Sequence, residues 1–357
     1  MNKFDICSAS VSELSAFVER LGEPKYRAIQ IFEWIHGKFA EDFSSMTNLS
    51  LALREKLMQN AFFSLAKIAD CKISKDFSTK KYLFELENNI IIDDIETKET
   101  VFVEAVVMEY KYGLSVCISS QAGCRMGCDF CASGIHGLQR SLTAGEMAAQ
   151  LYAVSRDMGR RISNIVLMGS GEPLDNFDNV MKFLELANSE KGAGIGMKHI
   201  TLSTVGLVPK IYDLLEKKLR LTLAVSLHAP NDEIRRRLIP AAKAYDMESL
   251  LAACRAYSEH RRVTFEYIMI HGINDSAENA LELSGLIKGM NCHINLIPAN
   301  GVEEKGYIKS TEEDLQRFAD ILESRGISTT IRRGMGGDIN AACGQLRAKR
   351  LKIADDI

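Results

Sequence analysis

The sequence of 357 residues lacks the features that mark several specialised classes of protein. No apolar run approaches the roughly 20 residues that a membrane-spanning helix requires. Only six residues are Pro, and neither an internal repeat nor a low-complexity tract is present, which argues against a long disordered linker. With 44 Lys+Arg against 47 Asp+Glu, the formal charge is −3, so the basic excess of many nucleic-acid binders is also missing. Any contact with nucleic acid must therefore be local.

Apolar residues, in contrast, are plentiful. They make up 46% of the chain, enough for a sizeable core, and the length suits one large catalytic domain with a smaller appendage. Residues Met1–Asp5 lack the basic and then apolar pattern of a secretory signal, which predicts a reducing cytoplasm. In that compartment nine unevenly spread cysteines suit metal ligands and nucleophiles better than a disulfide framework.

The N-terminal third of the chain divides into a helical part and a β-rich part. Apolar residues recur at helical spacing from Val11 to about residue 65, which predicts a small helical domain over residues 1–65. Residues 66–110 change to short β-branched and aromatic runs, which predict a β-rich connector with a turn at Glu87–Asn89. The strands expected in this connector lie at 82–84, 90–92 and 101–103.

From residue 111 to residue 346, short β-branched runs alternate with longer amphipathic segments. This alternation predicts an α/β fold with a parallel sheet or barrel, whose chemistry lies at the carboxyl ends of the strands. The predicted strands are Ser115–Ser119, Ile165–Met168, Ile200–Ser203, Leu221–Leu227, Val263–Ile270, Ile294–Ile297 and Ile327–Ile331. The predicted helices are Ala144–Arg156, Val180–Asn188, Lys210–Lys218, Met247–His260, Ala277–Lys288 and Glu312–Ser324. A basic tail over residues 347–357 completes the chain.

Three thiols, Cys124, Cys128 and Cys131, lie within one short stretch directly after the first strand of this repeat. Thiolates are soft ligands that select iron-sulfur clusters or zinc. A structural zinc site is closed by four ligands, whereas three cysteines can hold three irons of a four-iron cluster and leave the fourth iron open. The alternative is a zinc site completed by a distant Cys or His, such as His136.

This C-x3-C-x2-C spacing after the first strand of a βα barrel resembles the radical S-adenosylmethionine (SAM) superfamily. Longer segments resemble one family within it, the RlmN family of adenine C2 methyltransferases, over nearly the whole chain. Ser170, Ala299 and residues Met335–Gly337 depart from the residues usual in that family. The segments that carry the resemblance are Gly22–Arg27, Cys117–Cys124, Gly169–Pro173, Leu202–Gly206, Ser226–Pro230, Asn295–Pro298 and Asp338–Leu346.

The resemblance implies a partial parallel (βα)6-type radical SAM barrel, a 4Fe-4S cluster and a radical methyl transfer. Carbon 2 of adenine is electron-poor, so it cannot attack a methyl sulfonium. In the implied mechanism Cys343 is methylated by one SAM, and an adenosyl radical from a second SAM abstracts hydrogen from that methyl group. The methylene radical adds to adenine, Glu104 removes the ring proton, and Cys117 attacks the sulfur of Cys343. The resulting transient disulfide releases the methylated base. Glu99 and Glu109 are less favoured substitutes for Glu104.

The resemblance also implies which residues bind SAM. They follow or end successive strands, and Glu172 is expected to accept from the methionine ammonium group. Arg332, Arg333 and the basic residues Arg347–Arg350 flank Cys343, so we expect them to contact RNA. For Arg235–Arg237 and His260–Arg262 we expect a solvated face. Cys7, Cys71, Cys254 and Cys292 are predicted to be buried apolar side chains. The implied SAM-binding residues are Gly171, Glu172, Ser203, Ser226, Leu227, His228 and Asn300.

The implied partners are 23S ribosomal RNA, transfer RNA and an electron donor, flavodoxin or ferredoxin, with a monomeric enzyme and no membrane. One alternative is methylation at carbon 8 of adenine, as in the related Cfr enzymes, although Glu266 and Pro298 in their strands look more like the C2 group. The alternative from another class is a non-catalytic, zinc-stabilised RNA-binding protein.

Overall fold

The computed structural model describes residues 3–92, 95–299, 306–332 and 337–339. Its N-terminal part is helical, as predicted. Helix α1 begins at Ser10, whose hydroxyl accepts from the backbone N–H of Glu13, while the Glu13 carboxylate accepts from the backbone N–H of Ser10. This reciprocal cap satisfies two donors that a helix start leaves without partners. The elements of this part are β1 (Phe4–Asp5), α1 (Val11–Arg20), α2 (Tyr26–Phe32), α3 (Leu51–Asn60) and β2 (Ala61–Phe62).

Three long antiparallel strands follow: β3 (Ala66–Ile73), β4 (Thr79–Ile92) and β5 (Ile95–Tyr110). The turn predicted at Glu87–Asn89 is wrong, because β4 continues through these residues and pairs with β5 along its whole length. Inter-strand hydrogen bonds in this long hairpin outweigh the weak local preference of Asn for turns.

The rest of the chain alternates strands and helices, and each predicted strand and helix of this part is confirmed to within a few residues. The strands are β6 (Gly113–Cys117), β7 (Gln121–Gly123), β8 (Leu138–Ser141), β9 (Asn164–Leu167), β10 (Ile200–Thr204), β11 (Thr222–Ser226), β12 (Val263–Met269), β13 (Cys292–Pro298) and β14 (Ser328–Ile331). The helices are α4 (Ala144–Asp157), α5 (Phe177–Asn188), α6 (Val208–Glu216), α7 (Asp232–Leu238), α8 (Met247–Ser258), α9 (Ala277–Leu286) and α10 (Glu312–Ser324).

Helix α7 was not predicted. It begins at Asn231, whose side-chain oxygen accepts from the backbone N–H of Ile234. The expectation of a solvated face for Arg235–Arg237 is wrong for Arg235, which is 1% exposed. Its guanidinium donates to the carbonyl of Val205 at 2.6 Å, a long-range contact that the local sequence does not reveal.

One ten-stranded sheet runs through most of the molecule, in the order β14-β13-β12-β11-β10-β9-β6-β5-β4-β3. Strands β6 and β9 to β14 are parallel, and the predicted partial barrel of βα units is therefore confirmed. Strands β3 to β5 extend the sheet antiparallel from β6. The predicted domain boundaries stay predictions.

The two faces of the sheet differ in polarity. Residues directly opposite each other on neighbouring strands share a face, and side chains alternate between faces along a strand. One row of partners runs Lys81, Val106, Cys117, Val166 and Thr201 across five strands, so these side chains lie on one face, which we call the inner face. The opposite face is a continuous apolar layer of fully buried residues: Val116, Ile165, Leu167, Leu202, Leu223, Phe265 and Leu296.

Helix α4 lies between the sheet and the N-terminal part, and every residue from Ala144 to Ser155 is buried. The backbone N–H of Gly145 donates to the Ser8 hydroxyl at 2.8 Å, and the ring of Phe39 stacks on Tyr152. A helix that is buried all round needs cover on both sides. The N-terminal part provides that cover.

The cysteines outside the cluster do not all follow the prediction. Cys7 and Cys254 are buried and Cys292 is half-buried, but Cys71 is exposed on the edge strand β3. No disulfide joins two cysteines within the described part of the chain. A search of the same residues finds no helix that is both long and apolar enough to cross a bilayer.

Candidate active site

The cysteine cluster lies in the loop between β7 and β8, which pair antiparallel and hold the two ends of the loop together. The backbone N–H of Cys124 donates to the Gly137 carbonyl at 3.0 Å, closing the base of the loop. Gly127, between Cys124 and Cys128, has a φ of +67°, a conformation that favours glycine. The loop thereby turns back on itself and directs three half-buried cysteines into one region.

Burial disfavours the charged form of the Cys124 and Cys128 thiols. It raises the pKa of Cys124 to about 12, and the neighbouring Cys131, Glu172 and Asp175 act in the same direction. The pKa of Cys128 is likewise raised by burial. The negative groups Cys131, Cys124 and Glu172 raise the pKa of Cys128 further, and the guanidinium of Arg235 is also close enough to interact with this thiol. This donor set fits a cationic centre, because a bound metal deprotonates coordinating thiols.

A closed structural zinc site needs a fourth ligand beside the three cysteines, whereas a four-iron cluster held by three cysteines leaves one iron open. His136, the suggested fourth zinc ligand, is exposed.

Gly169 and Gly171 allow the loop after β9 to approach the end of β6. A side chain at Gly169 would come within 2.6 Å of the Ile118 backbone, and one at Gly171 within 2.5 Å of the Gln121 side chain. Gly171 also has a φ of +103°. These contacts require glycine at both positions.

The same loop brings Glu172 to the cysteine loop. Glu172 is 2% exposed and accepts backbone hydrogen bonds from Leu174 at 3.0 Å and Val205 at 2.8 Å. Burial raises its pKa to about 7, against the lowering effect of these bonds. Its influence on the Cys124 and Cys128 thiols shows that the loops carrying them are neighbours.

The next two strands bring further predicted residues to the same edge. Ser203 and Ser226 are half-buried near the carboxyl ends of β10 and β11, on the inner face. Leu227 is fully buried, so its backbone is the part that can meet a ligand. His228 has a φ of +58°, and its Nδ1 accepts from the backbone N–H of Ile268 at 3.0 Å.

The ring of His228 connects this edge to the cysteine loop. It meets Phe130, which lies between Cys128 and Cys131, edge-on at 4.9 Å. Burial, and secondly Arg235, lower the pKa of His228 to about 3, so the ring is neutral with its proton on Nε2. The predicted cofactor residues that are described thus converge on the cysteine loop.

Cys117 and Glu104 lie on the inner face beside this edge. Cys117 is the last residue of β6 and pairs with Val106 of β5, while Glu104 is two residues from Val106 and therefore projects from the same face. As whole residues, Cys117 is 7% exposed and Glu104 is 2% exposed. Glu104 is thus buried at the site, rather than solvated on a strand.

Several predicted residues lie outside the described part of the chain: Cys343, Asn300, Arg333 and the tail. Arg332 is described and exposed, and its backbone N–H donates to Leu296 at 2.8 Å. The carboxylate of Asp338 accepts from the backbone N–H of Lys75 at 2.8 Å. The segment that leads to Cys343 therefore passes the turn between β3 and β4.

Sequence reasoning missed Lys81 at the site, and it used Glu266 only to compare the C2 and C8 enzymes without placing it at the site. Lys81 Nζ lies 3.0 Å from Glu104 Oε2, and both side chains are almost fully buried. Glu266, on the inner face of β12, accepts from Asn295 Nδ2 at 2.8 Å and its pKa is raised by burial. Lysine and glutamate are rarely buried, so composition predicts exposure, and only the strand register could have indicated their orientation.

The sequence is similar to those of known proteins over nearly the whole chain. Residues 118–284 match the family model of the radical SAM superfamily, and residues 4–63 match that of the ribosomal RNA large subunit methyltransferase N-terminal domain. The probable dual-specificity RNA methyltransferase RlmN of Clostridium novyi (strain NT) is 49% identical, over 98% of this chain and 99% of the relative. The protein of the same name from Alkaliphilus oremlandii (strain OhILAs) is 49% identical over 99% of this chain and 100% of its own.

A solved structure agrees equally well. A radical SAM methyltransferase from Sphaerobacter thermophilus superposes with a TM-score of 0.89 at 41% identity, covering 97% of this chain and 99% of its own. Sequence and fold therefore point to the same relatives.

Proposed function

This chain belongs to the RlmN family of radical SAM RNA methyltransferases, and we propose that it methylates carbon 2 of adenine in 23S ribosomal RNA and in transfer RNA. The enzyme uses a 4Fe-4S cluster and SAM. The dual-specificity name of its relatives supports the two RNA substrates. The observation that carries the proposal is that Cys117 and Glu104 share the inner face of the sheet, next to the strand ends that converge on the cysteine loop.

We assign the cluster to Cys124, Cys128 and Cys131, which one short loop brings together as three half-buried thiols. Bound there, the cluster supplies the electron that cleaves SAM into methionine and an adenosyl radical. Gly171, Glu172, Ser203, Ser226, Leu227, His228 and Asn300 bind SAM in this proposal. His228 offers an N–H, and Glu172 offers a carboxylate to the methionine ammonium.

Two cysteines and one carboxylate act on the methyl group and the base. Cys343 carries the methyl group, because a thiolate is a good nucleophile toward a sulfonium. Glu104 takes the proton from C2 of the adenine that is linked to Cys343 through the methylene carbon. Cys117 then gives up its proton and bonds to the sulfur of Cys343 as the carbon–sulfur bond breaks; the electron pair of that bond stays on the methylene carbon, which takes up a proton and becomes the methyl group of the released base. The unpaired electron left by radical addition would return to the cluster. Two electrons from flavodoxin or ferredoxin reduce the disulfide before the next turnover.

We further propose that the enzyme acts as a monomer in the cytoplasm, where a thiol pair is kept reduced between turnovers. Arg332 is exposed on the strand end nearest the C-terminal segment, and a cation there suits a contact with the RNA backbone.

The methylated nucleoside that the enzyme forms in RNA tests the proposed function. RNA from cells that lack this protein, methylated by the purified enzyme and digested to nucleosides, should contain 2-methyladenosine at sites in both RNA classes. Finding 8-methyladenosine instead would support the Cfr-like alternative.

Anaerobically purified protein should be brown, with about four irons per chain. Cys128→Ala should lose this iron, while Cys71→Ala, which removes an exposed thiol on β3, should keep it.

A further inference from the structure

Strand β4 carries a lysine that the proposed reaction leaves without a role. The Lys81 side chain is 0% exposed and its Nζ lies 3.0 Å from Oε2 of Glu104, whose side chain is 3% exposed. Lys81 pairs with Val106 in the register, and Leu83, two residues on, pairs with Glu104. The ammonium group therefore reaches the carboxylate diagonally across two neighbouring strands, on the inner face that also carries Cys117.

A contribution to stability alone does not explain why Lys81 and Glu104 are buried against each other. Removing two charges from water carries a penalty that their attraction seldom exceeds by much, and apolar residues of similar volume often stabilise a core as well. A carboxylate buried without a cation takes up a proton instead of remaining charged. A base must hold no proton when the reaction reaches it, so a buried base needs a cation beside it.

We propose that Lys81 is a positioning residue for Glu104, whose carboxylate it holds in the orientation needed for removal of the C2 proton. The inference rests on the proposed function, since it gives Lys81 a part in the same reaction. The ammonium contacts Oε2 at 3.0 Å, and the carboxylate accepts the proton. The C2–H bond breaks, its electron pair stays in the adenine ring, and a new O–H bond forms on Glu104, so the step needs no further reactant.

Lys80 provides a matched control on the same strand. It projects from the opposite face and forms an ion pair with Asp157 of α4 at 3.0 Å, where the two side chains are 25% and 33% exposed. A partly exposed pair of this kind contributes little to stability. Lys80→Met removes one lysine charge from β4, as Lys81→Met does, without affecting the inner face.

The experiment measures the rate at which full-length enzyme releases methylated RNA from the covalent RNA–enzyme adduct. Two RNA substrates are compared, one with hydrogen and one with deuterium at C2 of the target adenine. Lys81→Met should slow release about a hundredfold, the size typical of losing general base catalysis, and should increase the deuterium isotope effect. Lys81→Arg should stay within about tenfold of wild type, because guanidinium keeps the positive charge. Lys80→Met should match wild type in both rate and isotope effect.

A double variant separates positioning from a purely structural role. In a Glu104→Gln background, Lys81→Met should cause no further loss of release rate, because both changes impair the same proton transfer. The inference is overturned if Lys81→Met releases RNA normally, or if it slows release with an unchanged isotope effect. If Lys81→Met does not fold, Lys81→Arg becomes the test variant. Release of methylated RNA at the normal rate by Lys81→Arg supports the inference. Trapping of the RNA adduct, as expected for Glu104→Gln, contradicts it.

The outcome for the wild-type enzyme distinguishes the two proposals. If it forms no 2-methyladenosine, the proposed function is wrong and the role of Lys81 is wrong with it. If wild type forms 2-methyladenosine and Lys81→Met behaves identically, the function stands and the role of Lys81 alone is contradicted.

Discussion

Cys117 shows how a single side chain obtains its role from its place in the sheet. It ends β6, the central strand at which the parallel and antiparallel parts of the sheet meet. A thiol at this position is buried and belongs to the inner face, next to the row that contains Glu104. The cysteine that we propose to break the covalent link to RNA therefore lies on the same face of the sheet as the proposed base.

We predict that Cys117→Ala traps RNA on the enzyme. Without this thiol the sulfur of Cys343 has no partner for a disulfide, so the adduct forms but is not released. A band of protein crosslinked to labelled RNA on a denaturing gel would show it, together with loss of multiple turnover. Cys254→Ala, which removes a fully buried thiol from α8, should release product normally. Equal turnover of Cys117→Ala and wild type would contradict the assigned role.

Individual residues also show where sequence spacing is informative. Cys124, Cys128 and Cys131 are close in sequence, so their spacing alone predicts a shared centre. Lys81 and Glu104 are 23 positions apart and meet through a strand register, and Arg235 reaches Val205 in another loop. Local spacing cannot encode such contacts, and the usual exposure of charged residues predicts the opposite.

At the scale of elements, the contact between the N-terminal helices and α4 carries a buried histidine. Helix α2 continues as a π turn, Glu33–Gly37, which places His36 against α4. His36 is fully buried, and its Nδ1 lies 2.6 Å from the Tyr152 hydroxyl. Burial lowers the pKa of His36 to about 3, so the folded protein keeps this ring neutral.

This contact should make folding sensitive to acid. Below about pH 6.5 the unfolded chain protonates His36 while the folded chain does not, so the free energy of unfolding falls by about 1.4 kcal/mol per pH unit down to about pH 3. The double variant His36→Phe with Tyr152→Phe should lack this contribution between pH 6 and pH 5. Denaturant unfolding at several pH values measures the difference from wild type.

Tyr152→Phe alone is the control for this pH dependence. It removes the hydroxyl partner but keeps the buried ring of His36, so its slope should stay close to that of wild type. Equal slopes for wild type and the double variant would show that His36 is accessible to protons in the folded state.

At the scale of the whole molecule, the N-terminal part acts as a structural layer over the barrel. Contacts between them include Arg156 with the Phe39 carbonyl at 3.1 Å, Arg161 with the Gly37 carbonyl at 2.8 Å, and Lys182 with Glu13 at 2.6 Å. Beside these polar contacts, the ring of Phe39 in the N-terminal part stacks on Tyr152 of α4. The barrel therefore depends on this part for the cover of α4.

We predict that a chain beginning at residue 66 is less stable and aggregates, because it exposes the apolar outer side of α4. The soluble fraction after expression and the thermal midpoint, each compared with the full chain, measure this effect. Lys182→Met breaks a partly exposed ion pair across the same contact and should cost at most about 1 kcal/mol. A truncated chain with the solubility and midpoint of the full chain would show that the barrel is independent.

The sequence by itself determined the repeat of strands and helices and the cysteine cluster, because both depend on the spacing of near neighbours, whereas the roles of Gly171 and Glu172 came from the family resemblance. The tertiary structure decided that β4 runs through Glu87–Asn89, that α7 forms, that Cys71 is exposed, and that Lys81 is buried against Glu104. These features follow from strand register and from packing between distant segments. Such contacts gain their free energy only when the whole sheet has formed, so no short window of sequence contains them.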